Sequence, residues 1–287
     1  MASMRDIKRR KSSIQSTQQI TKAMKLVATV KLQRTRKNAE KSKPYFEYMY
    51  QTITSILGKT MNVRHPFLNE NSSDRKVVIL ITSNRGLAGG YDGNISKMVM
   101  NAGFPMDKVD IISLGKKGRD AMHRHGANII LSEEEAVETP SYEDARRIAE
   151  LVLERFAKEE AGEIYIAYTA FINTMVHDPK LIKLLPIEEP KKETMDKKEE
   201  PEAIMNFEPE EEEALDLIIP KYISSIIYGA IVEAAASENG ARMQAMDSAT
   251  TNAEDMISKL SLQYNRARQG AITQELTEII AGAEATS

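Results

Sequence analysis

The chain has no cysteine and no tryptophan, and only 6% of its 287 residues are aromatic. Without cysteine there are no disulfides, thiolate metal sites or thiol nucleophiles, and no sign of a small secreted scaffold. No run of 18 apolar residues occurs, so no segment reads as a bilayer span. Residues 1–11 are basic but lack the apolar stretch of a secretion signal, which leaves a cytosolic or peripheral location. Neither charge sign dominates. Against 42 Asp plus Glu stand 39 Lys plus Arg, a net charge of −3, so there is no global pull toward nucleic acid or membrane. What is present is methionine, 15 residues of it, with abundant Ala, Ile and Leu. Such a supply suits long helices with slim seams better than a large aromatic core.

The near-neutral total hides segregation. Residues 1–43 carry 13 Lys or Arg against Asp6 and Glu40, while residues 187–216 carry 13 acids against 4 Lys. This reads either as two solvated faces or as one basic, partner-facing element and one acidic loop. Residues 4–57 contain no Gly and only Pro44, with Ile7, Ile14, Thr17, Thr21, Met24 and Ala28 at heptad-like spacing. One helix of roughly 80 Å is expected, with a kink near Pro44. Residues 210–281 repeat the pattern, with Pro220 near the start and a seam of Met246, Ala249, Ala253, Met256, Leu260 and Ala267. This second helix would span roughly 105 Å. Gly229, Gly240 and Gly270 inside it each cost about 1 kcal/mol relative to Ala, which points to close approach or bending. Seams of small residues bury little area, so neither helix is stable alone. With a domain between them, the economical arrangement is an antiparallel two-helix coiled coil.

The middle of the chain changes period. Residues 76–82 (KVVILIT) form a buried strand, followed by a Gly-rich loop over 83–93 and a helix over 94–101. Further strands are expected at 109–114, 129–131 and 164–172, an antiparallel strand at 180–185, and helices at 116–125 and 142–158. Alternating strands and helices predict an α/β insert domain with a mostly parallel sheet and Rossmann-like layers, carried on the coil. The expected division is 1–60 for the first coil helix, 74–186 for the α/β domain, 187–209 for a charged linker and 210–287 for the second coil helix.

No catalytic constellation emerges. The Gly-rich loop lacks G-x-G-x-x-G spacing and no G-x-x-x-x-G-K-S/T or G-x-S-x-G exists, so a turn needing Gly freedom is the better account of it. His123 and His125 are two apart and do not share a helix face, and His65 and His177 are isolated. No catalytic residue, cofactor site or metal site is assigned. A nucleotide-binding enzyme with helical arms and a DNA-binding or scaffolding coil remain as competing readings. The first lacks phosphate motifs. In the second, the basic residues are interrupted by a seam that needs a helical partner.

Several motifs are similar to one family. They are Ile20-Thr21-Lys22-Ala23-Met24; Ser83-Asn84-Arg85-Gly86-Leu87 followed by Gly89-Gly90; residues 237–252 (SENGARMQAMDSATTN); Ala267-Arg268-Gln269; and residues 272–283 (ITQELTEIIAGA). Together they resemble the γ subunit of the rotary F-type ATP synthase. Asn84 stands where that family usually has Asp, and Ala88 where Cys is common. The resemblance implies a non-catalytic central shaft that rotates inside a hexamer of α and β subunits and couples proton flow to ATP synthesis or hydrolysis. It also implies contacts to the ε subunit and the membrane c-ring, peripheral attachment at the cytoplasmic side of the cell membrane, no nucleic-acid partner and no direct membrane insertion. By resemblance, Lys22, Met24, Lys25, Arg242, Arg268 and Gln269 face β, and Thr273, Glu275, Glu278 and Gly282 belong to the terminal signature.

Overall fold

The computed structural model describes residues 4–59, 65–187 and 211–284. All but the first residue of the expected linker at 187–209 lies outside the described residues. Two long helices dominate, α1 over Met4–Lys59 and α6 over Glu211–Glu284. Both run without a break through an internal proline, Pro44 and Pro220. Two compact units are distinguished, residues 1–29 with 242–287, and residues 30–241.

In the first unit the helices form an antiparallel coil. Gln18 Nε2 donates to Glu254 Oε1 at 3.0 Å, Thr250 Oγ1 to Thr21 Oγ1 at 2.8 Å, and Lys25 Nζ to Asp247 Oδ1 at 2.6 Å. Numbers rise on α1 as they fall on α6, which defines the direction. Ile7, Thr21 and Ala28 are buried on α1, and Met246, Thr250 and Ala253 on α6. Three seam assignments are corrected. Thr17 is exposed and Gln18 is inward, Ala249 is half-buried and gives way to the buried Thr250, and Met256 is 53% exposed with Ile257 in its place. The true phase runs through Met246, Thr250, Ala253, Ile257 and Leu260, alternating four and three. It shares Met246, Ala253 and Leu260 with the expected phase, and polar residues at 18 and 250 disguised it.

The second unit is a layered α/β domain. Its strands are β1 (Lys76–Ile81), β2 (Val109–Leu114), β3 (Asn128–Glu133), β4 (Glu163–Phe171) and β5 (His177–Leu185), in the order β3-β2-β1-β4-β5. All pairs are parallel except β4–β5. Pro179 lacks a donor and sits on β5, the edge strand, where that is tolerated. Helices α2 (Tyr91–Met100) and α3 (Lys116–Arg124) supply Ile95, Val99 and Met122 to one core, with Val78, Leu80 and Ile111 of the sheet. The opposite core joins Val77, Ile79 and Ile81 to helix α5 (Tyr142–Ala157) and to the early part of α6. Ser141 caps α5 by accepting from Asp144 N at 3.1 Å. A four-residue helix, α4 (Glu135–Glu138), follows β3.

The stripe Leu215, Ile219, Ile223, Ile227 and Ile231 of α6 is fully buried in that core. One window of α6 reaches mean hydropathy 1.5, enough for a bilayer by composition, but 61% of it is buried inside the protein. Its apolar character therefore serves packing. At about 25 cal/mol per Å² of apolar surface, each such side chain contributes on the order of 2 kcal/mol.

Candidate functional site

The order β3-β2-β1-β4-β5 reverses between β1 and β4, and in open α/β sheets ligands bind at the carboxyl ends of strands beside such a reversal. Here the polar groups of that crevice are already engaged. Asp92, in the first turn of α2, accepts from Ser83 N and from Ser83 Oγ, each at 2.7 Å. Its carboxylate takes donors that a phosphate would use. At α3, Lys116 N donates to Asn84 Oδ1 (3.1 Å), Lys117 N to Ser83 O (3.0 Å) and Gly118 N to Thr82 Oγ1 (2.8 Å). The first-turn amides of a helix that could bind an anion are thus satisfied by the loop. Gly115 leads into α3 at φ 107°, and an added Cβ would lie 2.2 Å from Thr82 O. Tyr91 Oη donates to Ala234 O at 3.1 Å, so α6 covers the crevice, and burial raises the Tyr91 phenol well above its usual range. Asn84 Nδ2 donates to Glu134 O at 2.7 Å and to Glu138 Oε1 at 3.4 Å, fastening the loop to α4.

The histidines are dispersed. His123 and His125 are exposed on α3 and its C-cap. His65 is not isolated: it is buried, with Nε2 3.1 Å from Asp216 Oδ1. Sequence reading missed this pair because 151 positions separate its members. Among the described residues no group of three or more His, Asp or Glu is arranged to hold a metal ion.

The residues singled out on the coil fall in two groups. Lys22 is exposed, Met24 and Arg242 are half-buried, and Lys25 is half-buried and paired with Asp247. Arg268 and Gln269 are exposed, roughly 30 Å further along α6 from Asp247 at 1.5 Å per residue. Thr273 Oγ1 donates to Gln269 O at 2.9 Å, and Gln274 Nε2 to Glu278 Oε1 at 2.9 Å. Thr273, Glu275, Glu278 and Gly282 are all exposed. Among them lies an apolar set that sequence reading did not separate from the polar signature. Ile272, Leu276, Ile279 and Ile280 are 47–67% exposed and share one face at i, i+4, i+7 and i+8. Among the described residues, antiparallel pairing at this register leaves α6 beyond about residue 268 with no facing turn of α1.

The α/β domain has its ligand crevice closed by its own side chains, and the antiparallel two-helix coil leaves polar and apolar side chains exposed. Comparisons with known proteins give the family. The family model described as ATP synthase matches residues 3–286. An ATP synthase gamma chain of Lachnoclostridium phytofermentans is 58% identical over 99% of both chains. A sodium ion specific ATP synthase gamma chain of Acetobacterium woodii is 42% identical over 98% of each. In fold, the rotor of the Euglena gracilis mitochondrial ATP synthase matches 94% of this chain and 98% of its own with a TM-score of 0.68, at 20% identity. The chain belongs to the ATP synthase gamma-chain family, subunits of the central stalk that are not themselves catalytic.

Proposed function

We propose that this chain is the rotating shaft of a proton-translocating F-type ATP synthase bound peripherally at the cytoplasmic side of the cell membrane. In this reading the coil stands inside a hexamer of α and β subunits, and the α/β domain lies outside it against the ε subunit and the c-ring. Ion flow turns the ring and the shaft together. The asymmetric shaft presents a different face to each β subunit in turn. Each contact biases one β site by its differential affinity for open and closed forms. Lys22, Met24, Lys25, Arg242, Arg268 and Gln269 are the side chains assigned to β. The segments 1–60 and 210–287 form the shaft, 74–186 the base, and 187–209 a charged linker.

The observation that carries this reading is the exposed face of α6 beyond residue 268. Ile272, Leu276, Ile279 and Ile280 are uncovered while Arg268 and Gln269 offer hydrogen-bond donors beside them. A helix with an uncovered apolar stripe and a polar collar suits a surrounding partner that is greasy at depth and polar at its rim. Co-expression of this chain with α and β, followed by a bead-rotation assay, tests the reading. ATP-driven rotation in one direction is expected, and a hexamer that hydrolyses ATP without turning this chain refutes it. The relative from Acetobacterium woodii is named as sodium ion specific. Proton coupling is therefore tested separately, as hydrolysis by the whole complex that does not respond to sodium.

A further inference from the structure

At Gly240 of α6 an added Cβ would meet a ring. It would lie 2.7 Å from His177 Cε1 and 3.3 Å from Nε2, with Thr174 O at 3.7 Å. The missing side chain is a notch, and the imidazole at the start of β5 fills it. The ring is also paired with that of Phe171, tilted by 36° with centroids 6.3 Å apart. Both His177 nitrogens are buried and have no hydrogen-bond partner among the described residues. This imidazole is held as a flat ring by shape.

We infer that His177 is an acid-releasable fastener that holds the β4–β5 hairpin onto α6 at Gly240. A neutral imidazole already forgoes two hydrogen bonds there. A protonated one would add a second N–H without an acceptor and place a charge on nitrogens that are shielded from water. Ionisable groups on the elements packed around it include Tyr91, Asp92 and Lys97 of α2, Tyr168 of β4, Asp178, Lys180 and Lys183 of β5, and Glu233 and Glu238 of α6. Arg36 and Glu40 of α1 line the adjoining cleft of about 290 Å³ with Phe171 and Thr174. None of these shifts the imidazole: its pKa is lowered from 6.5, and burial is the cause. The seated form therefore binds a proton less readily than the released form. Fastening is intact above pH 6.5 and weakens as the pH falls from there toward the seated value. The consequence for torque rests on the shaft reading, because the device would set how firmly the α/β domain holds the C-terminal helix. The device itself does not depend on that reading.

The test is hydrogen exchange of the purified full-length chain, corrected for the intrinsic pH dependence of exchange and read on peptides covering 171–185. Going from about pH 7.5 to about pH 5.5 should lower hairpin protection, by up to about tenfold for each pH unit between the released and seated titrations. His177→Phe keeps a ring and loses the proton, so its protection should not respond to acid. Gly240→Ala closes the notch, so protection should be low at both values. A wild-type hairpin indifferent to acid, or a His177→Phe hairpin that loosens as much as wild type, overturns the proposal. Should the variants not fold, a ¹³C-histidine NMR titration of the wild-type chain decides: a His177 midpoint below 6.5 supports the fastener, and one at or above 6.5 removes it.

Discussion

Thr250 Oγ1 lies 2.8 Å from Thr21 Oγ1 across the coil, and both side chains are buried. Thr21 donates to Gln18 O at 3.1 Å, and the single Thr250 proton is shared between Thr21 Oγ1 and Met246 O at 2.7 Å. The contact between the two hydroxyls forms only in this register. A slip of one heptad would leave each opposite a side chain that offers neither donor nor acceptor. The pair thus sets register at some expense of apolar burial, as single polar seam residues do in other coiled coils.

Replacing either threonine with valine should destabilise the coil by about 1 kcal/mol, and the double replacement should cost less than the sum of the two. The measurement is a double-mutant cycle on local opening free energies from hydrogen exchange of residues 14–28. Strict additivity would show that the contact has no energetic content.

Lys25 and Asp247 are paired at 2.6 Å, with side chains 39% and 56% exposed. An exposed pair of this kind contributes about 0.2–1 kcal/mol and is screened by salt. Lys25→Ala should change coil stability by less than about 1 kcal/mol. Because Lys25 is already engaged and Lys22 forms no ion pair among the described residues, Lys22→Ala should slow assembly with α and β more than Lys25→Ala does. Association rates at low and at high ionic strength check this, and the difference should vanish at high salt.

In the proposed rotation, a β loop at Arg268 and Gln269 would grip and release the shaft in every cycle. The grip should consist of a few exposed hydrogen bonds worth about 0.5–1.5 kcal/mol each, and more for the charged Arg268. Arg268→Ala should slow turnover of the assembled complex and weaken assembly while leaving the α/β domain folded. A disulfide formed from Gln269→Cys to a cysteine on β should stop multi-turnover hydrolysis, with recovery on reduction. Full-rate turnover by the linked complex would refute rotation at this point.

Asn84→Asp probes the loop. The carboxylate would keep the cap on Lys116 N and favour the N-terminus of α3 by about 0.3–1 kcal/mol. It would lose the donor to Glu134 O and place like charge beside Glu138, about 1–2 kcal/mol in the other direction. The loss should win at neutral pH. Glu138→Gln should recover part of it, and so should lowering the pH through about 4, where the new carboxyl takes up a proton. Thermal unfolding of the α/β domain at about pH 7 and about pH 4 measures both.

Much of the architecture was legible in order along the chain. The long Gly-free stretch became α1, the run at 76–82 became β1, and the second and fifth helices matched their expected spans within three residues. These features depend on side chains within a few positions of one another, through periodicity and local propensity, so the sequence determined them by itself. The identities of Arg268 and Gln269 as candidates came from motif resemblance, because an exposed Arg on a helix carries no local mark of its partner. Only the tertiary structure decided which residues meet. It phased the seam on Thr21 and Thr250, 229 positions apart, paired His65 with Asp216, turned Asp92 into the loop where a ligand would bind, and made Gly240 a seat for His177. In each case the energy comes from desolvating groups brought together by distant chain segments. That free energy belongs to the pair, and neither member's local sequence contains it.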